Sequence, residues 1–211
     1  MNIINFDAKK TKKKYNLLPF LPPPPFRCII SGNSGCGKTN LLVNMMTHKE
    51  GYKQCFRPAD IILISSTLGL DDKLKMIAVK PENKFSKFDE AIVMDIMEQQ
   101  HQLMSGKTKR KAPQILLLLD DLASESVYNN TDIMRKLAFK GRHYNISFIC
   151  LTQKYNQISM KTINSIRANW RNTFINTNNS SPDMNSTAEQ LRLRCTVNSG
   201  HSCFKPPVAV R

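Results

Sequence analysis

The chain has 211 residues and 41% apolar content, enough to bury one ordinary core and too little for two full domains. Thirty-one lysines and arginines against sixteen acids leave a formal charge of +15 and a pI near 9.7, which points to a polyanionic partner, nucleic acid above all. No apolar run approaches the roughly 20 residues of a membrane span and the N-terminus lacks a signal-peptide core, so a soluble protein is expected.

Reading from the N-terminus, "KKTKKKYN" (Lys9 to Asn16) is a charge run expected to form a basic arm. "LPFLPPPPF" follows, whose prolines favour extended polyproline II and cannot enter a sheet interior, so it reads as a stiff lead-in to the domain. "FRCIIS" (Phe26 to Ser31) is a short buried strand by composition, and "KTNLLVNMMTH" carries Leu41, Leu42, Met45 and Met46 at helical spacing. Next come a strand over Ile61 to Ser65, an amphipathic helix over 86–104 and the basic loop "GKTKRK" (Gly106 to Lys111). "QILLLLDD" is a strand ending at acids, "TDIMRKLAFKGRHY" a helix, "ISFICLTQ" a strand, "ISMKTINSIRANW" a helix and "RNTFIN" a strand. Five continuously apolar strand-like runs alternating with helices predict an α/β domain with a mainly parallel sheet covered on both faces. The division expected is a basic and Pro-rich arm over 1–25, the domain over 26–177 and an irregular tail over 178–211.

Between the first strand and the first helix stands "SGNSGCGKTN". Gly32, four residues, then Gly37, Lys38 and Thr39 form the P-loop (Walker A) pattern in the strand-to-helix context that such a loop requires. Gly32, Asn33, Ser34, Gly35, Cys36, Gly37, Lys38, Thr39 and Asn40 would cradle the phosphates of ATP, the glycines freeing backbone angles so that amide N–H groups turn inward. Lys38 would bridge the β- and γ-phosphates, and Thr39 would offer its hydroxyl to Mg2+. Asp120 ends an apolar strand at the carboxyl edge where a doubly wound sheet opens its ligand crevice, so it would hold Mg2+ in the Walker B role while Asp121 polarises an attacking water. Glu125 is a lesser candidate for that base. Gln153 ends the following strand at the same edge, either as a γ-phosphate and water contact or as a glutamine satisfied by backbone groups. Arg142, in "GRH", is either a finger reaching a neighbour's γ-phosphate or a plain surface arginine. The order of strands is that of ATPases with an inserted strand, and no guanine-reading NKxD motif is present.

The remaining chemistry is sparse. Six cysteines, at 28, 36, 55, 150, 195 and 203, form no CxxC pair, and Cys36 lies inside the phosphate loop where oxidation would harm binding, so a reducing intracellular compartment is expected. Cys195, His201 and Cys203 make at most half a zinc site. The basic loop and the basic arm would neutralise phosphates without sequence preference, and neither has the interleaved aromatics of a single-strand platform, so duplex DNA is the expected partner.

"PPFRCIISGNSGCGKTNLL", "ILLLLDDLASE", "FKGRHYNISFICLTQ" and "SIRANWRNTFI" together resemble the poxvirus-type genome-packaging ATPases of the FtsK–HerA division, with relatives in giant viruses, virophages and Polinton elements. The resemblance covers about residues 19–177. It implies a RecA-like P-loop fold, a homo-oligomeric ring, ATP hydrolysis with Mg2+, translocation of double-stranded DNA into a capsid, contact with capsid proteins, and residence in the host cytoplasm, a viral factory or the virion. Lys38, Thr39, Asp120, Asp121 and Gln153 fall on the matching positions, with Arg142 as the trans-acting arginine. Asp121 stands where the wider division usually has glutamate, one methylene longer. The tail beyond Thr177 lies outside the resemblance and is expected to be a truncated or aberrant end. Two rival expectations are a small P-loop kinase, which would need an arginine-rich lid, and a non-hydrolysing ATP-binding remnant of a mobile element.

Overall fold

The structure is a computed structural model, and it describes residues 15–105, 112–122, 131–153 and 172–176. Its strands are β1 (Arg27–Ser31), β2 (Ile61–Ser65), β3 (Lys84–Phe85), β4 (Ile115–Asp120), β5 (Ile146–Thr152) and β6 (Asn172–Asn176). Its helices are α1 (Lys38–Thr47), α2 (Glu90–Ser105) and α3 (Thr131–Lys140). All five expected strands form, and the two-residue β3 is added at one edge. The order is β3-β2-β4-β5-β1-β6, every pair parallel, so β5 is inserted between the phosphate-loop strand and the acidic strand.

The strands β1, β2, β4 and β5 are mostly apolar and buried throughout because each face of the sheet has its own core. Cys28, Ile30, Leu63, Leu118 and Leu151 pack on the α1 side, and Ile29, Ile64, Leu119, Phe148 and Cys150 pack on the α2 and α3 side. Successive residues of one strand therefore go to opposite cores, which removes the polar-out alternation of a half-exposed strand.

Helix boundaries follow local chemistry. The helix expected over 86–104 starts instead at Glu90, because the Asp89 carboxylate accepts from the Ala91 N–H at 2.8 Å and caps the first turn. The helix expected over 131–144 stops at Lys140, and Gly141–Tyr144 tightens into a 3-10 turn closed by Asn145 at φ 59. The helix expected over 158–170, the basic loop 106–111, nearly all of the basic arm and the tail lie outside the described residues, as does Glu125.

The Pro-rich lead-in is fastened to the α1-side core. Leu18 and Leu21 are buried there, and the Leu18 N–H donates to the Glu50 carbonyl at 3.0 Å. Tyr52 is fully buried, stacks on Phe26 with ring centroids 4.4 Å apart, and donates its hydroxyl to the Pro22 carbonyl at 3.1 Å. This one ring joins the lead-in, the start of β1 and the segment after α1. Tyr52→Ala is expected to cost about 3–5 kcal/mol and Tyr52→Phe about 1 kcal/mol, read from urea unfolding midpoints.

Candidate nucleotide site

Because every strand is parallel, β1, β2, β4 and β5 all deliver their C-terminal ends to one edge of the sheet. A cleft of about 530 Å³ opens there, lined by Ser34 to Asn40, by Asp120 and Asp121, by Gln153, and by Thr67, Leu70, Asp71 and Lys73. Of the positions expected to serve ATP, Ser34, Gly35, Cys36, Gly37, Lys38, Thr39, Asn40, Asp120, Asp121 and Gln153 thus share one cavity. Arg142 does not.

The loop is shaped for anions. Gly35 and Gly37 adopt φ 76 and φ 90, a left-handed conformation that side chains disfavour. Gly32 does not use that freedom. It is buried, its N–H donates to the Thr152 carbonyl at 3.1 Å, and it ties the loop to β5. No side chain caps α1 and no acid sits in its first turn, so the positive end of the helix dipole faces the cleft. Lys38 Nζ donates to the carbonyls of Gly32 at 2.8 Å and Asn33 at 2.9 Å and lies 4.0 Å from Cys36 Sγ, holding the loop closed upon itself.

The two acids are placed differently. Asp120 is only 4% exposed, and its Oδ2 accepts from Ser65 Oγ at 3.1 Å. Burial pushes its carboxyl up to about 6; the Ser65 bond and the Lys38 charge oppose this, and Asp121 and Asp71 reinforce it. Asp121 leaves the strand at φ 48, its backbone carbonyl accepts from Ser66 Oγ, and its Oδ1 accepts from Gln153 Nε2 at 3.1 Å. A short polar side chain tolerates that left-handed angle better than most residues do. Gln153 is exposed and bonds the acid, so the alternative of a glutamine satisfied by backbone groups is not what the fold builds.

Magnesium fits this donor set. It takes hard oxygen ligands, one or two from protein and the rest from water and phosphate, and Thr39 and Asp120 line the same cleft. Among the described residues no group of three or more His, Cys, Asp and Glu side chains forms a metal cage.

Arg142 lies in the turn before β5, whereas Gln153 follows it, so the two are separated by the length of a seven-residue strand, about 20 Å. It is exposed on the opposite edge of the sheet, near buried Arg27, which donates to the Phe139 carbonyl at the end of α3. Burial, with the Arg142 charge adding to it, lowers Arg27 to about 10. An arginine so placed cannot reach the cleft of its own chain.

The sequence matches the family described as Poxvirus A32 protein over residues 14–199. The chain belongs to that family. The match runs past Thr177, so residues 178–199, expected to lie outside the resemblance, fall within the family's span. No curated protein sequence matches the chain. Among solved structures, the cytoplasmic domain of the Thermomonospora curvata type VII secretion ATPase EccC is 16% identical over 72% of this chain and 19% of its own, with a TM-score of 0.48. The cytoplasmic domain of EssC is 18% identical over 71% of this chain and 32% of its own, also at 0.48. The N-terminal domain of zonular occludens toxin from Neisseria meningitidis is 14% identical over 72% and 76%, at 0.40. The chain thus spans well under half the length of the first two.

Sequence reasoning about this A32-family chain missed the wall contributed by the loop after β2. Ser65, Thr67, Asp71 and Lys73 carry no motif, although "ISST" ends an apolar strand just as "LLDD" does; only the strand order sets the two side by side.

A carboxyl that takes its proton near pH 6 in the fold and near 3.8 when unfolded weakens the metal-free fold as pH rises between those values, because the native state holds the extra proton there. Asp120→Asn is accordingly expected to raise the thermal midpoint in metal-free buffer at pH 7.5 and to reduce the stability gained on lowering the pH to 5, measured by differential scanning fluorimetry.

Proposed function

We propose that this protein is an ATP-driven translocase that packages double-stranded DNA into a viral or virus-like capsid. The observation that carries the reading is the division of labour across one cleft: a phosphate loop on one wall and, facing it, a buried acid beside a half-buried acid that is bonded to Gln153. That division is what hydrolysis needs and a mere nucleotide-binding scaffold does not.

In this reading the amides of Ser34 to Thr39 receive the phosphates, and Lys38 exchanges its bonds to the Gly32 and Asn33 carbonyls for the β- and γ-phosphate oxygens. Thr39 and Asp120 would hold Mg2+, which would neutralise charge on the phosphate oxygens. Asp121 orients the attacking water and accepts its proton, and Gln153, already donating to Asp121, senses the γ-phosphate from the same edge. Arg142 serves the cleft of a neighbouring subunit, for which its exposure on the edge opposite its own cleft is suited. A head-to-tail ring follows, since one subunit's cleft then meets the next subunit's arginine edge. The +15 charge and the basic stretches Lys9–Lys14 and Gly106–Lys111 support a partner bound through its phosphates. Capsid contact and action in the host cytoplasm, a viral factory or the virion complete the reading.

Steady-state ATP hydrolysis is expected to rise on adding duplex DNA, to lose that stimulation between low and moderate salt, and to fall by about two orders of magnitude or more in Lys38→Ala. Turnover indifferent to DNA would favour a kinase, and binding without turnover a scaffold. Mixing inactive Lys38→Ala and Arg142→Ala subunits is expected to restore part of the turnover; no recovery at any ratio would remove Arg142 from the trans role.

A further inference from the structure

The end of β2 grips the acid pair, and nothing in the nucleotide motifs accounts for it. Ser65 and Asp120 are direct partners in the parallel ladder between β2 and β4, so their side chains leave the same face of the sheet side by side. Ser65 is fully buried and its Oγ donates to Asp120 Oδ2 at 3.1 Å. The Thr67 N–H donates to that same Oγ at 3.2 Å, and Thr67 Oγ1 lies 3.1 Å from it. An ionised carboxylate only accepts, so the proton between Ser65 and Asp120 is the serine's, and the Thr67 hydroxyl must then donate to Ser65. The serine hydroxyl is thereby used in full, one bond given and two received, and cannot rotate away. Asp120 Oδ1 takes no hydrogen bond from the described residues.

We propose that Ser65 is a positioning residue that fixes the Asp120 carboxylate through Oδ2 and leaves Oδ1 for the metal, with Thr67 locking the serine hydroxyl in place. The inference rests on the reading of Asp120 as the Mg2+ acid. It makes the loop after β2 part of the site, since Thr67 lines the cleft with Asp71 and Lys73 and is one bond removed from the carboxylate. The neighbouring residue acts alike on the other acid, Ser66 Oγ donating to the Asp121 backbone carbonyl at the turn where that residue leaves the strand.

The test is a Mg2+ titration of binding of a fluorescent ADP analogue to the full chain. Ser65→Ala is expected to raise the half-saturating Mg2+ concentration about tenfold while leaving binding in EDTA unchanged, and Ser65→Thr, which keeps the hydroxyl, is expected to restore it. Thr67→Val, which spares both Ser65 and the buried acid, is expected to shift it about threefold in the same direction and carries the test if Ser65→Ala does not fold. Asp120→Asn separates the two layers of the argument. If it shifts the Mg2+ dependence and folded Ser65→Ala and Thr67→Val do not, the positioning role is overturned and the metal reading stands; if Asp120→Asn itself produces no shift, both fall. An equal loss of binding in EDTA for Ser65→Ala would make the serine a support of the fold rather than of the metal acid.

Discussion

Parallel pairing is the constraint on which the rest of this molecule depends. With β2, β4, β5 and β1 running the same way, four strand ends meet at one edge, and chemistry carried by segments up to more than a hundred positions apart is gathered there. The register is as important as the direction. Ser31 beside Thr152 and Ser65 beside Asp120 place the phosphate loop, the strand carrying Gln153 and the acidic strand at one level. A slip of one residue would turn Asp120 to the other face and replace it by an apolar neighbour.

The second determinant is electrostatic. A carboxylate buried as deeply as Asp120 normally needs a cation or several donors, and here among the described residues it has one serine hydroxyl and an attraction to Lys38, whose own donors are turned to loop carbonyls. These two interactions balance the buried charge only in part, and a phosphate-bound divalent cation is the kind of charge that would complete the balance. The neighbouring Asp121 escapes this condition by leaving the strand in a left-handed turn and meeting Gln153. One residue of backbone geometry thus separates a buried acid from an accessible one.

The opposite edge of the sheet has the reverse character. Arg27 is buried there against the carbonyl end of α3, whose dipole favours a cation, and Arg142 stands exposed beside it. A molecule with acids around its cleft and arginines at its far edge is polar along the strand direction, the polarity that the proposed head-to-tail ring would use. Membership of the poxvirus A32 family is shown; ATP hydrolysis, the ring and the DNA belong to the proposal.

The P-loop, the acid pair and Gln153 were legible in the sequence because each is local: a glycine pattern before a helix, or a polar residue closing an apolar run, records its own strand end. The same locality made β1, β2, β4 and β5 readable, since a strand covered on both faces is apolar at most positions whatever its neighbours are. Helix limits were less legible where a single cap decided them, as at Asp89 and Gly141. What only the tertiary structure decided was adjacency. That Ser65 holds Asp120, that Gln153 holds Asp121, that Tyr52 closes the Pro-rich lead-in and that Arg142 faces away from its own cleft all depend on strand order and register, which are set by how two whole hydrophobic cores close around the sheet and not by any short run of residues.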